Sequence, residues 1–295
     1  METISIFDIF KIGIGPSSSH TLGPWRAAMD FLEEVKREDF NKIEICLYGS
    51  LSKTGKGHAT DKAIQLGLLG YHPEKIKTKE ISLIINNLKR RKQISISKKP
   101  FYFNPKKHII FKNKNDPKHP NTLKFKVYSN NKLLKKSVYY SIGGGFILKK
   151  GRSNSIQKIH LPYPINSGED LKKHIKDTGM SIPEIVMQNE KHFKSEKAVK
   201  KNIKKLFNSM KKCVLKGVKT NGILPGGLQV VRRSKVLVES LTSSTIKNWK
   251  DIETAINSKE WNFNEVNQWV SCFAMAVNEE NAAMGRIVTA PTNGA

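Results

Sequence analysis

Residues 41–70, NKIEICLYGSLSKTGKGHATDKAIQLGLLG, contain the pattern that decides the fold of the N-terminal half. The first ten residues alternate apolar and polar side chains, which is typical of a half-buried β-strand. The remainder passes through a glycine-containing loop into a helix. A strand that leads through a short loop into a helix predicts a mixed α/β arrangement.

The loop of this stretch resembles a phosphate-binding loop but fails the required spacing. From Gly49, five residues rather than four precede Gly55-Lys56, and Gly57 stands where the Mg²⁺-binding Ser or Thr should be. We therefore reject a nucleotide site. Thr60 or Asp61 could cap the following helix, which leaves the nearby His58 without a structural explanation.

A second unusual loop, GIGPSSSHT at residues 13–21, precedes the first long helix. We expect Thr21 to cap that helix and Pro24 to lie in its first turn, where a missing N–H costs nothing. The hydroxyl groups and the imidazole would then surround a helix N-terminus, where free N–H groups and the helix dipole favour an anion. A redundant serine cap is the alternative, although one hydroxyl would be enough for it.

The rest of the chain predicts an α+β protein with two domains. Residues 1–160 read as a mixed α/β domain, because the extended runs TLKFKVYS and KSVYYSIGGGFILKK follow the stretch above, and the triple glycine suits a bulge. The segment HLPYPINSGED marks the start of a linker that we place at residues 161–180. Residues 181–295 read as the first part of a mainly helical domain that is incomplete.

Two patterns define the helical domain. Ser181 and Glu184 predict a capping box that opens a long lysine-rich helix through about residue 216. Near the C-terminus, one apolar helical stripe is assigned to the core, and it consists of Val266, Trp269, Val270, Phe273 and Val277. The small residues that follow this stripe predict packing against elements that the chain does not contain.

Composition excludes several classes of function. The net charge is +27, but lysine dominates and is spread along the whole chain, so we expect no specific nucleic-acid partner. The basic segment at residues 88–114 is interpreted as a solvated insertion. The N-terminus has neither a signal peptide nor a membrane span, which predicts a cytoplasmic protein without a membrane partner. Cys46, Cys213 and Cys272 lack metal-site spacing and are expected to be free and buried.

A series of motifs then carries a family resemblance. In order these are FDIFKIGIGPSSSHTLGP, YGSLSKTGKGHATD, HPNT, YYSIGGGF, MQNE, GILPGGL, RR and AVNEENAAMGRIVTAPTNGA. Over essentially all 295 residues the chain resembles the L-serine dehydratase (L-serine deaminase) family that uses an iron–sulfur cluster. The resemblance implies an ammonia-lyase that converts L-serine to pyruvate and ammonia, built from a beta domain and a helical alpha domain with a [4Fe–4S] Lewis acid.

The resemblance also suggests the site residues. It implies that His58 and His119 are catalytic. It implies substrate binding by a larger set, which comprises Ser17, Ser18, Ser19, His20, Thr21, Thr60 and Asn121. Thr122, Gly227 and Met284 depart from the usual family residues, which are Gly, Pro and Gly, and we expect altered backbone geometry at these three positions.

The cofactor and the partners follow from the same resemblance. The cysteines that hold the family's cluster lie beyond the last motif, so no metal ligand is expected among this chain's three cysteines, and the chain is interpreted as C-terminally truncated. The expected partners are L-serine, a separately encoded C-terminal alpha half, and further copies of the chain in a homo-oligomer. Two interpretations stay open: a dehydratase active only in its complete form, and an inactive remnant that still binds serine.

Overall fold

The computed structural model describes residues 4–96, 99–152, 160–242 and 245–290. The helices are α1 (Ile6–Ile9), α2 (Gly23–Val35), α3 (Ser50–Lys53), α4 (Thr60–Leu68), α5 (Ile81–Arg91), α6 (Pro105–His108), α7 (Gly168–Thr178), α8 (Ile182–Phe193), α9 (Glu196–Lys219), α10 (Ser234–Thr242), α11 (Trp249–Ile256) and α12 (Phe263–Ala282). A π-helical turn (Ser18–Leu22) precedes α2, and a 3₁₀ turn (Thr78–Glu80) precedes α5.

The strands form one large sheet and two small ones. They are β1 (Lys11–Ile14), β2 (Lys42–Leu47), β3 (Gln93–Ile96), β4 (Lys99–Tyr102), β5 (Ile109–Phe111), β6 (Thr122–Ser129), β7 (Lys132–Gly143), β8 (Phe146–Lys149) and β9 (Arg286–Thr289). The five-stranded sheet has the order β5-β2-β6-β7-β8, with β2 parallel to β5 and the other pairs antiparallel. The predicted mixed α/β arrangement and the predicted strand at residues 122–129 are confirmed.

Helix α2 covers one face of the large sheet. Alternation along β2 buries Ile43, Ile45 and Leu47, as the sequence pattern predicts. Phe31 of α2 stacks on Phe125 of β6, with 4.9 Å between the ring centroids. This layer fixes the N-terminal end of α2, and with it the serine-rich turn, above the sheet.

The triple glycine forms the turn between β7 and β8. All three glycines have positive φ angles, from 55° to 97°, and the β7–β8 register shifts between Ser141 and Gly143. The predicted bulge is therefore confirmed. The backbone conformation explains the glycines, because other residues pay a steric cost in this region.

The helical part is built on the crossing of α9 and α12. A side chain at Gly217 would place its Cβ 2.4 Å from the carbonyl oxygen of Ala276, so the two backbones meet closely there. The predicted capping box of Ser181 and Glu184 is present. The single long helix is wrong, because Lys194 adopts an extended conformation and Ser195 caps a new helix, α9.

The apolar stripe of α12 is only partly core, which corrects the sequence prediction. Trp269 is buried, and Phe273 and Val277 pack partly buried against the same cluster. Val266 and Val270 are 45% and 61% exposed. In the part of the chain that the structure describes, no element covers this side of α12.

The segment after α12 also differs from the expectation. Its strand β9 pairs antiparallel with β1, and Ile14 lies opposite Arg286 in this register. The segment therefore packs against the N-terminal segment of this same chain, and the carbonyl of Gly285 accepts a hydrogen bond from the N–H of Gly15 over 3.1 Å. The last five residues, 291–295, lie outside the described residues. No described helix is both long enough and apolar enough to span a bilayer.

Backbone geometry is unusual at two of the three departures from the family's residues. Met284 has a φ of 57°, a conformation that glycine adopts without strain, and Gly227 has a φ of 84°, which the proline ring cannot adopt. The third, Thr122, is buried and begins β6, and its hydroxyl donates a hydrogen bond to the carbonyl of His119 over 2.7 Å.

Buried carboxylates connect distant segments of the helical part. Glu280 forms a 2.8 Å ion pair with Arg232, and the Lys216 ammonium lies 2.6 Å from its other oxygen. Glu190, from the MQNE motif, accepts hydrogen bonds from the hydroxyl of Ser5 and the N–H of Ile6, each over 2.8 Å. These contacts give the family-like RR, MQNE and NEEN motifs a structural role. Glu190 joins α8 to the N-terminal segment, and Glu280 joins α12 to α9 and to the segment before α10.

Candidate functional site

The serine-rich loop forms the π-helical turn that runs directly into α2. Ser17, not Thr21, caps this turn: its hydroxyl accepts a hydrogen bond from the N–H of His20 over 3.1 Å. The predicted cap at Thr21 is therefore wrong. Thr21 is fully buried, and its hydroxyl donates to the carbonyl of His58 over 2.7 Å. Pro24 lies in the first turn of α2, as predicted.

His20 lies at the centre of a chain of hydrogen bonds. Its Nδ1 is 2.9 Å from the hydroxyl of Ser19, and its Nε2 is 2.9 Å from the hydroxyl of Ser50, at the start of α3. The His58 ring lies beside it, with 4.8 Å between centroids. Two segments that are distant in sequence, the serine-rich turn and residues 50–58, therefore meet at this imidazole.

The loop before α4 is held by backbone contacts rather than by a side-chain cap. Ala59, in a left-handed conformation, occupies the N-cap position, so the suggested cap at Thr60 or Asp61 is not formed. Thr60 is fully buried, and its hydroxyl donates to the carbonyl of His20 over 2.5 Å. Nδ1 of His58 is 3.0 Å from the carbonyl of Thr54, and Nε2 of His58 makes no hydrogen bond among the described residues.

The loop at residues 119–121 borders the same region through Ser50. The N–H of Ser50 donates to the carbonyl of Pro120 over 2.8 Å, and the N–H of Asn121 donates to Nδ1 of His119 over 3.0 Å. His119 has no direct contact with His20 or His58 among the contacts of the described residues. The structure thus brings His20, His58 and Thr60 into contact, and it connects the loop of His119 and Asn121 to them through Ser50.

A cavity of about 430 Å³ opens between the start of α3 and the 115–120 loop, and Ser50 connects it to His20. It is lined by Ser50, Lys53, Thr54 and the loop 115–120. Its one acid, Asp116, is paired with Lys124 over 2.9 Å. Burial alone would raise the pKa of Asp116, but hydrogen bonds from Lys124 and from the N–H of Lys118 hold it below its usual value. Lys53 and Lys118 also line the cavity, so its lining carries a net positive charge, which favours an anionic ligand.

Sequence reasoning missed two residues of this site, Ser50 and Ser141. Ser50 connects His20 to the 119–121 loop. Ser141, on β7, is fully buried and donates its hydroxyl to the carbonyl of Ser19 over 2.7 Å. Both lie inside motifs that carried the family resemblance, YGS and YYS, so position within a motif was the available signal.

The protonation of His20 is strongly perturbed. Burial is the main cause that lowers the pKa of His20 from 6.5 to about 4, and the neighbouring His58 lowers it further. His20 is therefore a neutral imidazole at physiological pH. One ring nitrogen donates and the other accepts, so Ser19, His20 and Ser50 form a connected donor–acceptor chain.

This pKa predicts an acid-dependent loss of stability. Because the unfolded chain binds the His20 proton near pH 6.5 and the folded chain near pH 4, the stabilisation is complete above pH 6.5 and is lost as the pH falls towards 4. We expect the free energy of unfolding of His20→Gln to fall less steeply over this range than that of the unmodified chain. Urea titrations at a series of pH values test this, and equal slopes for the two proteins would contradict it.

Comparison with known proteins identifies the family. The serine dehydratase beta chain family matches residues 5–152, half of the chain, and the serine dehydratase alpha chain family matches residues 177–295. The chain belongs to the serine dehydratase family.

Curated relatives of this serine dehydratase chain include three from different bacteria. "L-serine dehydratase" of Haemophilus influenzae is 38% identical over 99% of this chain and 64% of its own length. "L-serine dehydratase 1" of Escherichia coli is 37% identical over 99% of this chain and 63% of its own length. "L-serine dehydratase" of Streptomyces coelicolor is 35% identical over 99% of this chain and 63% of its own length. The chain thus spans slightly under two thirds of the relatives it matches.

The cysteines of this serine dehydratase chain do not fit an iron–sulfur cluster. Cys46, Cys213 and Cys272 are all buried and free, and they lie in three different elements, β2, α9 and α12. Burial raises the pKa of all three thiols, to about 12 for Cys213 and about 11 for Cys272. Cluster ligands are thiolates brought together around iron. Within the described ranges, no group of three or more His, Cys, Asp or Glu side chains could hold a metal.

We therefore expect the purified 295-residue chain to hold no stable iron–sulfur cluster. The thiols are neutral and belong to separate elements, so they cannot close around one cluster without unfolding. Iron and acid-labile sulfide should stay far below stoichiometric amounts after anaerobic reconstitution. A triple Cys→Ser variant is the control and should bind the same residual iron. Stoichiometric iron and sulfide that disappear in this variant would contradict the expectation.

Proposed function

We propose that this chain binds L-serine at the site formed by the serine-rich turn, the His58 loop and the 119–121 loop, as part of an L-serine dehydratase that forms pyruvate and ammonia. The observation that supports this most directly is the convergence of His20 with Ser50 and His58, from two segments distant in sequence, where Ser50 also lines a positively charged cavity. Curated relatives matched over 99% of the chain are named L-serine dehydratase. Those names disfavour the alternative of an inactive remnant.

The hydroxyl-rich turn and the charged cavity supply groups for the substrate carboxylate. The hydroxyl of Ser18 makes no hydrogen bond to another described residue, and the turn continues without interruption into α2. Lys53 and Lys118 add positive charge at the cavity. A carboxylate placed between these groups would be neutralised by the cations and would accept hydrogen bonds from the turn.

The two predicted catalytic histidines have complementary tautomers. Nδ1 of His58 faces the carbonyl of Thr54 and so carries the proton, which leaves the Nε2 lone pair free to accept a proton. Nδ1 of His119 accepts from the N–H of Asn121, so its Nε2 carries the hydrogen. We assign His58 to removal of the α-proton of serine and His119 to hydrogen-bond donation towards the substrate.

The polar residues around these histidines divide into two groups by their hydrogen bonds. We propose substrate contact for the hydroxyls of Ser18 and Ser19, for His20, and for Asn121. Ser17, Thr21 and Thr60 instead hold the backbone of the turn, since each hydroxyl is already bonded to a backbone group. This division refines the substrate-binding set that the family resemblance implies.

Removal of the serine hydroxyl needs a group that this chain's cysteines do not supply. The family is consistent with an iron–sulfur cofactor, and we propose that its ligands belong to the remaining third of the relatives' length. That portion would reach this chain as a continuation or as a separately encoded alpha half. Overall, serine loses its α-proton and hydroxyl, and hydrolysis of the resulting aminoacrylate gives pyruvate and ammonia.

The remaining features of the proposal concern organisation and context. We propose that residues 1–160 form the beta domain, residues 161–180 a linker, and residues 181–295 the first part of the alpha domain. Support comes from the five-stranded sheet, which lies wholly within the first range, and from helices α8 to α12, which lie within the last. We also propose a cytoplasmic homo-oligomer without a specific nucleic-acid partner.

Calorimetry with L-serine and a coupled pyruvate assay test the function. We expect this chain alone to bind L-serine weakly and to form no pyruvate. In a protein completed with the alpha half, we expect His58→Ala and His119→Ala each to reduce serine turnover by at least about a hundredfold. His72→Ala is a matched control for His119→Ala. Nδ1 of His72 accepts a hydrogen bond from the N–H of Glu74, two residues later, as Nδ1 of His119 does from Asn121, but His72 lies in an exposed loop away from the site. A folded chain that fails to bind L-serine would contradict the proposal.

A further inference from the structure

The π-helical turn leaves one backbone carbonyl without its usual donor. In this turn the N–H of Gly23 donates to the carbonyl of Ser18, five residues earlier. With the same spacing of five residues, the carbonyl of Ser19 would accept a hydrogen bond from the N–H of residue 24. Residue 24 is proline and has no N–H, so the carbonyl of Ser19 needs a donor from elsewhere.

Ser141 supplies this donor from the sheet. Its hydroxyl lies 2.7 Å from the carbonyl oxygen of Ser19, and the residue is fully buried on β7. The hydroxyl fits closely against the turn, since a Cβ at Gly23 would lie 2.0 Å from it. A sheet residue thereby completes the hydrogen bonding of the turn that carries His20.

The backbone of the same residue holds the second histidine loop. The N–H of Ser141 donates to the carbonyl of Asn121 over 2.9 Å, and the side-chain amide of Asn121 donates back to the carbonyl of Ser141 over 3.3 Å. The buried Oδ1 of Asn121 has no hydrogen-bond partner among the described residues, and the amide hydrogen bond to Ser141 fixes its orientation. Ser141 therefore contacts both Ser19 and Asn121, which flank the proposed site.

We propose that Ser141 is a positioning residue of the L-serine site, which fixes the serine-rich turn and the 119–121 loop relative to each other. The expected loss of L-serine affinity rests on the proposed function, whereas the expected change in the serine-rich turn does not. Loss of the hydroxyl leaves the carbonyl of Ser19 buried without a donor. The turn then relaxes, and His20, which is hydrogen-bonded to Ser19, becomes more hydrated.

The test compares Ser141→Ala with Ser137→Ala. Ser137 is a matched control because it is a buried serine on the same strand whose hydroxyl donates one hydrogen bond, to Glu34 over 2.8 Å, away from the site. We expect similar losses of thermal stability in both variants. Only Ser141→Ala should weaken L-serine binding, by about fivefold to tenfold. Only Ser141→Ala should also move the midpoint of the His20 titration from about pH 4 towards 6.5, which histidine NMR measures.

A rescue experiment separates positioning from simple destabilisation. Pro24→Ala restores a backbone N–H at the residue that the register of the turn requires, so adding it to Ser141→Ala should return the His20 titration part of the way to its original value. If Ser141→Ala does not fold, Ser141→Cys keeps a weak donor of similar shape and allows the same comparison. An unchanged His20 titration in folded Ser141→Ala would overturn the inference. Absence of L-serine binding by the unmodified chain would instead overturn the proposed function.

Discussion

Replacement of Glu280 by alanine is expected to lower the free energy of unfolding by about 3–5 kcal/mol, or to prevent folding altogether. Glu280 is 1% exposed, and its partner Arg232 is 9% exposed. Removal of the carboxylate leaves the Arg232 guanidinium buried without its counter-charge. That penalty is much larger than the loss of one surface ion pair, because the desolvation of the remaining charge is no longer compensated.

The control for this prediction is Glu196→Ala. Like Glu280, Glu196 contacts two cationic side chains, here Lys191 at 3.5 Å and Lys200 at 2.6 Å, but its side chain is 45% exposed. An exposed pair of this kind contributes at most about 1 kcal/mol. Urea unfolding followed by circular dichroism measures both variants. A loss below about 1 kcal/mol for Glu280→Ala would mean that Arg232 finds water or another partner, contrary to the packing described above.

Replacement of Gly49 by alanine should disrupt the candidate site itself. Gly49 has a φ of 57°, and a Cβ there would lie 2.3 Å from the carbonyl oxygen of Pro120. The adjacent Ser50 donates its N–H to that same carbonyl. The new methyl group must push the 119–121 loop away from Ser50, at a cost of about 2–5 kcal/mol from strain and overpacking together.

Gly57→Ala provides the matched comparison for Gly49→Ala. Gly57 belongs to the same loop region, is exposed, and its added Cβ would have a nearest neighbour at 3.5 Å, the carbonyl of Thr54. We expect its stability to change by less than about 0.5 kcal/mol and its L-serine affinity to stay the same. Gly49→Ala should lose at least about tenfold in affinity wherever it remains folded. Equal behaviour of the two variants would show that the contact between Gly49 and Pro120 is unimportant.

Local sequence patterns predicted the elements whose structure depends on local physics. The alternation in β2, the run that became β6, and the capping box of Ser181 and Glu184 all follow from side-chain periodicity and from contacts within a few residues. The break between α8 and α9 was missed because lysines on both sides have good helix propensity. The interruption comes from the extended backbone at Lys194 and the new cap at Ser195, which a periodic pattern does not reveal.

The sequence predicted candidate site residues, which remain a prediction, but it did not predict their arrangement. His58 and His119 stand out because each lies in a loop beside glycine or proline, and His20 stands out because it follows three serines at a helix start. Their contacts depend on donors that come from distant strands and helices, and no local pattern predicts those. Ser50 and Ser141 were missed on this account: each is an ordinary serine in sequence, and each becomes specific only when β7 and α3 approach the serine-rich turn.

The pairing of β1 with β9 sets a constraint on biosynthesis. Residues 11–14 leave the ribosome early, but their strand partner at 286–289 is translated about 270 residues later. At ordinary elongation rates of 5–20 residues per second, this delay is roughly a quarter of a minute to a minute. During that interval the nascent chain has its large sheet but not the strand that flanks the serine-rich turn. The turn therefore reaches its final form late in translation, and a nascent chain stalled before residue 286 would expose one edge of β1 to chaperones or to other nascent chains.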